Sequence, residues 1–584
     1  MSTTEAARGT IAIPEADHRI EPTSPADIDA AIADLRDHAK RWVETPIAER
    51  IGMLEQAIAD TLDAAPAWAL AGSVAKGIDR TSHHMGEEWL TGPYPTLRHL
   101  RLLVGTLTDI QEHGRPQPPG IATRPDGQVV VDVYPVDRLD QLSLPGFSGE
   151  IRVQKGIDRE QVEARMGRVY RDGGADAGGV ALILGAGNVS SIPPTDALTK
   201  LVSEIRVCLL KMNPVNEHAG PHLEDALRVF IDAGVLRIVY GGADVGIYTC
   251  EHDGIDEIHI TGSDKTHDAI VFGVGDEGRR RKEANEPLNT KEISSELGNV
   301  SPVIVVPGPW SAKDIAYQGA NLASMLVQNG GFNCIALRNV ITHASWNQRE
   351  ALVDAIRESL RAAEPRVPYY PGARERWEAF VAAHPEAETY GSADAGKVPW
   401  TFIPDLDESA TDDICFTTEA FCGVFGEVGL TAPRSVPEYL DRAVDFCNDT
   451  LWGTLSASIL VHPKSMKDPA IAAAVERAID RLEYGSVVVN HWSAVPFATM
   501  SMSWGAYPGH TNQDIQSGRG VVHNTFMIED VEKCVLRGPF RTPAKPITFH
   551  DVKTLPEIGR LLAEFEATRD VKLVPKLLWA SLRA

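Results

Sequence analysis

VALILGAG (residues 180–187), PPTDALTKLVSEI (193–205), RVCLLKM (206–212), HLEDALRVFIDAG (222–234) and LRIVYGG (236–242) follow one another within a single stretch of the chain. Short runs rich in Val, Ile and Leu alternate there with segments of helical period, and a run that is apolar on both faces needs cover on both sides. The rhythm predicts βαβα units, a parallel sheet sandwiched by helices and a nucleotide-binding fold. A second α/β block begins with PVIVV at Pro302, passes through AYQGANLASMLVQ and recurs in strands at ASILV and GSVVVN. No repeat of fixed period is visible.

Upstream of this core, Ala- and Leu-rich helical patterning runs from a Ser24-Pro25-Ala26-Asp27 cap to about Leu107, with Pro in the first turn and acid beside it. From Val129 the pattern changes to VVVDVYPVDRLDQLSLPGFSGEIRV, whose β-branched clusters, Pro and Gly predict a hairpin or ribbon over 129–153 that is suited to an oligomerisation arm. Residues 1–24 mix Pro, Ser, Thr and charge without an apolar period and are expected to form a mobile extension. They also lack the apolar core of a secretory signal.

At 584 residues the chain is too long for one core, so two or three domains are expected. A hydrophobic content of 43% and a charged content of 23% are ordinary for globular proteins and argue against a disordered or membrane chain. The formal net charge of -25 repels nucleic acid and anionic lipid, so neither is expected as principal partner. Seven scattered cysteines, an odd number, fit reduced thiols and a cytoplasmic setting better than a disulfide framework.

One cysteine stands apart. In NGGFNCIALRNVITH (329–343), Cys334 follows a Gly330-Gly331 turn, and glycines let the backbone approach a reacting centre closely. Upstream, SSELGNVSP supplies Glu296 and ALILGAGNVSS supplies Asn188 just after a strand. A thiol, a carboxylate base and an amide donor are the parts needed for covalent catalysis through an oxyanion and a thioester. Each residue also has an ordinary structural use, as core thiol, cap or turn residue, and it is their joint order that carries weight.

Read together, these segments resemble the aldehyde dehydrogenase superfamily over roughly residues 40–535. The shared features come in order: Asn188 after the first strand, Lys211 in LLKMNP, Thr261-Gly262-Ser263 in IHITGSDKTHD, Glu296-Leu297-Gly298, Gly330 to Cys334, and EAFCGVFGEV with Glu419 and Phe421. The resemblance implies an α/β, aldehyde dehydrogenase-like fold. Its parts would be a Rossmann-type NAD(P)-binding domain (25–128 and 154–297), an α/β catalytic domain (298–508), and a β oligomerisation arm with a C-terminal extension (129–153 and 509–584). It also implies a homodimer or homotetramer.

For chemistry, the resemblance implies that Cys334 attacks an aldehyde carbonyl, that its backbone N–H and the Asn188 amide hold the oxyanion, and that Glu296 activates the water that hydrolyses the thioester. NAD or NADP would be held by Lys211, Gly242 of YGGADVG, Gly262, Ser263, Leu297, Glu419 and Phe421. No metal ligand set is implied.

Departures from the family pattern mark a divergent branch. Pro214 stands where members carry the acid that grips the adenosine ribose, which leaves NAD and NADP equally open because Pro has no acceptor side chain. Phe332, Trp492, Phe497 and Trp504 are candidates for an aromatic substrate entrance or for core packing. Two other readings compete with oxidation to the acid. A CoA-acylating aldehyde dehydrogenase would pass the thioester to CoA, against which Glu296 argues, and a silent dehydrogenase-fold protein would keep the scaffold only for binding.

Overall fold

In a computed structural model, residues 8–172, 178–392, 396–433 and 435–584 are described. Val180–Leu184, Val207–Lys211, Leu236–Val239, Glu257–Gly262 and Glu292–Leu297 are parallel strands of one sheet, and the first two are buried along nearly their whole length. Val180–Leu184 pairs with Val207–Lys211 on one side and Glu257–Gly262 on the other, so successive connections leave it in opposite directions. A crevice opens at the carboxyl ends of strands at such a reversal, which is where open α/β sheets take ligands. Gly518–Arg519 closes the edge, antiparallel to Glu292–Leu297, with Gly518 opposite Glu296.

The second α/β block repeats the arrangement. Pro302–Val305 lies between Asn339–His343 and Ser456–Leu460, all parallel, inside an eleven-stranded sheet. The 129–153 segment forms the strands Val129–Tyr134 and Ser148–Val153, which join this sheet through Val531–Arg537. They cover an apolar cluster of their own that includes Val131, Val133, Ile151, Cys534 and Leu536.

Two groupings read from the sequence change. The C-terminal extension was expected to accompany the arm, and Val531–Arg537 does so, but the helix Leu555–Thr568 turns back onto the first helical block and Val574–Leu582 packs against that helix. The helix Leu555–Thr568 buries Leu555, Ile558, Leu561 and Phe565, a stripe of helical spacing that must find an apolar partner. The helices Met85–Leu90 and Pro93–His113 provide one, and Arg98 fixes the contact by bonding Asp140 at 2.8 Å and Glu566 at 2.9 Å, all three buried.

The second change concerns the expected mobile extension. Its first seven residues lie outside the described ones, but Gly9–Thr10 pairs in parallel with Thr418–Glu419. Farther on, Arg19 and Ile20 donate backbone N–H groups to the buried Glu217 carboxylate. Main-chain donors bonded to carboxylates hold this segment in place, and an apolar period, the feature missing from its sequence, is not required.

Candidate active site

The thiol end of the crevice is made where the helix Ala312–Val327 gives way to a tight turn, Gln328–Gly331, in which Asn329, Gly330 and Gly331 have φ of 53°, 68° and 81°. A Cβ on Gly331 would come within 2.8 Å of the Cys422 carbonyl, so only glycine allows the thiol loop to touch the loop that follows Glu419. Arg338 ties the same two loops together, donating to the carbonyls of Cys422 at 2.6 Å and Gly331 at 2.9 Å. Trp492 Nε1 donates to the Ile335 carbonyl at 2.7 Å and holds the loop from the other side.

Asn188 meets this loop across the domain boundary. Its Nδ2 donates to the Phe332 carbonyl at 2.9 Å, which leaves the second N–H of the amide available. Behind it, the Asn188 carbonyl accepts from Lys76 Nζ at 3.0 Å, Asn329 Nδ2 at 3.0 Å and Tyr369 OH at 3.1 Å. Lys76 also donates to Glu88 at 2.7 Å and to Asn329 Oδ1 at 2.9 Å, and both members of the Lys76–Glu88 pair are buried. A buried ammonium with three acceptors is held without an unpaired charge, the condition under which an interior ion pair is tolerated.

Glu296 lies beside the Cys334 thiol and the Trp504 indole. It is buried, and its Oε1 has no hydrogen-bond partner among the described residues. Burial pushes its carboxyl up to about 8, and the nearby Asp196 charge acts in the same direction. Asp196 is itself buried; it accepts from Thr261 Oγ1 at 2.8 Å and lies 3.4 Å from His259 Nε2. Thr261 is the register partner of Glu296, and His259 that of Ser294, so this polar cluster lies along the same pair of strands. Burial, with the neighbouring Glu296 and Glu419 carboxyls, pushes the Cys334 thiol well up. The resting pair therefore holds a protonated thiol next to a carboxyl that titrates close to neutrality.

The crevice runs from these groups into the first α/β block as a cavity of about 780 Å³. Asn188, Glu296, Cys334, Glu419 and Phe421 line one end, and Lys211, Gly242, Gly262 and Ser263 line the other. Glu419 is buried and accepts from Asn299 N at 3.3 Å; burial pushes its carboxyl up to about 7, against the pull of Arg338. Ser263 Oγ accepts from Thr266 N at 3.1 Å and so caps the helix Asp264–Phe272 while facing the cavity. Lys211 is largely buried and makes no hydrogen bond or ion pair among the described residues, so its ammonium faces the cavity with donors free. An elongated cleft with a free cation at one end and a thiol at the other fits a dinucleotide.

Residues 219–369 match the model of the aldehyde dehydrogenase family. Aldehyde dehydrogenase 1A1 of Bos taurus is 28% identical over 295 residues, covering 46% of this chain and 51% of the relative. The N-succinylglutamate 5-semialdehyde dehydrogenase of Novosphingobium aromaticivorans is 26% identical over 168 residues, 29% of this chain and 32% of the relative. The match thus spans about half the length of the first of these relatives. Among solved structures, an indole-3-acetaldehyde dehydrogenase complexed with NAD+ aligns at a TM-score of 0.57 and 17% identity, covering 91% of this chain and 96% of its own. The NADP-dependent glyceraldehyde-3-phosphate dehydrogenase of Bacillus halodurans complexed with NADP aligns at 0.57 and 17%, covering 88% and 92%. Over residues 219–369 the chain is similar to the aldehyde dehydrogenase family, and it shares the fold of these solved structures.

Set against that similarity, most of the residues singled out from the sequence come together, with one exception. Leu297 does not line the crevice; its side chain is in the core of the first α/β block and its N–H donates to the Ser517 carbonyl at 2.9 Å. Of the four aromatic candidates for an entrance, Phe332, Trp492 and Trp504 are buried and Phe497 is half-buried, and none lines the crevice. Phe332 packs with Tyr369, Tyr370 and Phe421, while Trp492, Phe497 and Trp504 belong to the cluster beneath Cys334. Unread in the sequence were Lys76, Glu88 and Asn329, which converge from distant segments, and the wall formed by residues 10–16. For Asn329 the signal was its place before two glycines; for Lys76 no local signal exists.

Proposed function

We propose that this protein oxidises an aldehyde to a carboxylic acid, with Cys334 as nucleophile, Glu296 as base and NAD or NADP as acceptor. The observation that carries this reading is the contact of the Cys334 thiol with the buried Glu296 carboxyl at the end of a dinucleotide-sized crevice. Once ionised, Glu296 takes the thiol proton, and the sulfur adds to the aldehyde carbon to give a thiohemiacetal. Its oxyanion lies within reach of the free N–H of the Asn188 amide and the backbone N–H of Cys334. NAD or NADP held in the crevice would supply the acceptor for the hydride that leaves that carbon as the thiohemiacetal becomes a thioester.

Once Glu296 has released the thiol proton to solvent, its unpartnered Oε1 can take a proton from a water that attacks the thioester carbon, and the Cys334 thiolate leaves and is reprotonated as the acid is released. Lys211 and the Ser263 end of the crevice would bind the dinucleotide, and Glu419 and Phe421 would orient its reacting half beside Cys334. A cytoplasmic setting, resting on the free cysteines, and a homodimer or homotetramer, resting on the family resemblance, are part of the same proposal.

The test is an assay of NADH and NADPH formation with aliphatic, aromatic and semialdehyde substrates, with and without CoA. Acid formation without CoA is the expected result. Strict dependence on CoA would replace water by CoA as the acyl acceptor, and no reduction of either dinucleotide across the panel would overturn the enzymatic reading.

A further inference from the structure

An acceptor that must take hydride beside Cys334 places its adenosine half at the opposite end of the crevice, between Lys211, Pro214 and Gly242. That end has a wall unrelated to the sheet. Residues 10–16 line the crevice from outside, held at one end by the pairing of Gly9–Thr10 with Thr418–Glu419 and by Thr10 N donating to Asp264 Oδ1 at 3.1 Å. At the other end, Ile20 N donates to Glu217 at 3.0 Å and Thr23 N donates to the Tyr240 carbonyl at 3.0 Å. A strap fixed at both ends presents Glu15 to the crevice.

The Glu15 carboxylate lies directly over Gly242, where a Cβ would come within 1.7 Å of Oε1, and it accepts from Ala243 N at 2.7 Å. Ala243 opens the helix Ala243–Glu251, so Glu15 occupies the positive end of that helix. It also stands close enough to Lys211 to stabilise the ammonium form, against the burial that lowers it. A helix N-terminus and a lysine are the two features at this end that would receive an extra phosphate; the Glu15 carboxylate occupies the first and adds negative charge near the second.

We propose that Glu15 is the cofactor-specificity residue of this protein and that it excludes a 2′-phosphate, so that the acceptor is NAD and not NADP. This rests on the oxidation reading above. Pro214 offers no acceptor to the ribose, and Glu15 supplies from the strap the carboxylate that position lacks. Its remaining oxygen can accept from a ribose hydroxyl, whereas a phosphate there meets the like charge of the Glu15 carboxylate. The Glu15 side chain is 52% exposed, so solvent and salt reduce the repulsion and set the preference at tens of fold, not thousands.

The test is titration of NADH and NADPH by nucleotide fluorescence on the full chain, comparing wild type, Glu15→Gln and Glu15→Lys. Because Glu15 is half exposed, neither substitution removes core packing. The wild type is expected to prefer NADH, Glu15→Gln to reduce that preference by about tenfold mainly through tighter NADPH binding, and Glu15→Lys to reverse it. A preference unchanged by both variants would overturn the proposal. So would equal tightening of both dinucleotides, which would make the strap a competitor for the site. Wild-type protein that bound neither would overturn the oxidation reading and this proposal with it, whereas tight binding without a shift in preference would overturn this one alone.

Discussion

The two ends of the crevice are built in opposite ways. At the thiol end, Cys334, Glu296 and Asn188 are fixed by contacts from several distant segments, and the Asn188 carbonyl alone accepts three hydrogen bonds. At the adenosine end, Lys211 faces the cavity without a hydrogen-bond partner among the described residues, and the wall is a polar strap. The difference teaches that position is secured where atoms must react and left adjustable where a ligand must only bind. Preorganised groups stabilise a transition state without reorganising during the step, while a binding surface tolerates being completed by its ligand. If that division is right, substitutions at the two ends should separate kcat from dinucleotide affinity.

The largest separation is expected for Cys334→Ala. Loss of the nucleophile should lower kcat by at least about a thousandfold while the dinucleotide dissociation constant, measured by fluorescence, stays within about twofold. Comparable losses in both would merge the two ends into one functional unit. Glu296→Gln should come next, lowering turnover by about a hundredfold and leaving an acyl-enzyme detectable by mass spectrometry of the intact chain. If Glu296→Gln turned over at the wild-type rate, its role as base would be withdrawn.

The same substitution has a stability signature of known sign. Burial raises the Glu296 carboxyl from 4.5 to about 8, so between those values the folded chain binds more protons at this site than the unfolded chain. Stability contributed by this group is therefore present below pH 4.5 and lost as pH rises through 8. Glu296→Gln, neutral throughout, should melt several degrees above wild type at pH 8.5 and converge with it near pH 5. A gap that widened toward acid would reverse the assigned direction.

Lys76→Met tests the scaffold of the thiol end. Removing one member of a buried ion pair leaves Glu88 uncompensated and typically costs about 3–5 kcal/mol. The thermal midpoint should fall, and in the folded fraction kcat should drop about tenfold with dinucleotide affinity unchanged, because Asn188 loses one of its three carbonyl donors. A fall in stability with unaltered kcat would make Lys76 a purely structural residue.

How far the sequence foretold these ends follows the same division. The six-stranded sheet was legible because each strand is a local apolar run and each crossover a local helical one, and the motif residues stood in order along it. Asn188, Glu296, Cys334, Glu419, Lys211 and Ser263 do reach one crevice. The Lys76–Glu88–Asn329 clamp was not legible, since a lysine in an Ala-rich helix carries the same local signal whether it meets solvent or a carboxylate from elsewhere. The strap at 10–16 was hidden for a different reason: it is held through backbone donors and single carboxylates, which leave no periodic trace. Leu297 shows the converse error, in which a residue adjacent to the base in sequence points into the core because successive strand side chains alternate faces.

The smallest of the expected effects lies at the adenosine end. Burial lowers the Lys211 ammonium to about 8, so raising pH through that value removes the positive charge from the crevice. Dinucleotide affinity should therefore weaken as pH passes from 7 to 9, while the rate at saturation follows Glu296 and rises over the same range. Lys211→Met should weaken binding about tenfold at pH 7, leave kcat within about twofold, and abolish the pH dependence of affinity. That last readout is the decisive one, because a general loosening of the fold would weaken binding at every pH, whereas loss of one titrating ammonium flattens the profile. A Lys211→Met protein whose affinity still fell between pH 7 and 9 would assign that titration to another group, with Lys291, which also lines the crevice, as the next residue to replace.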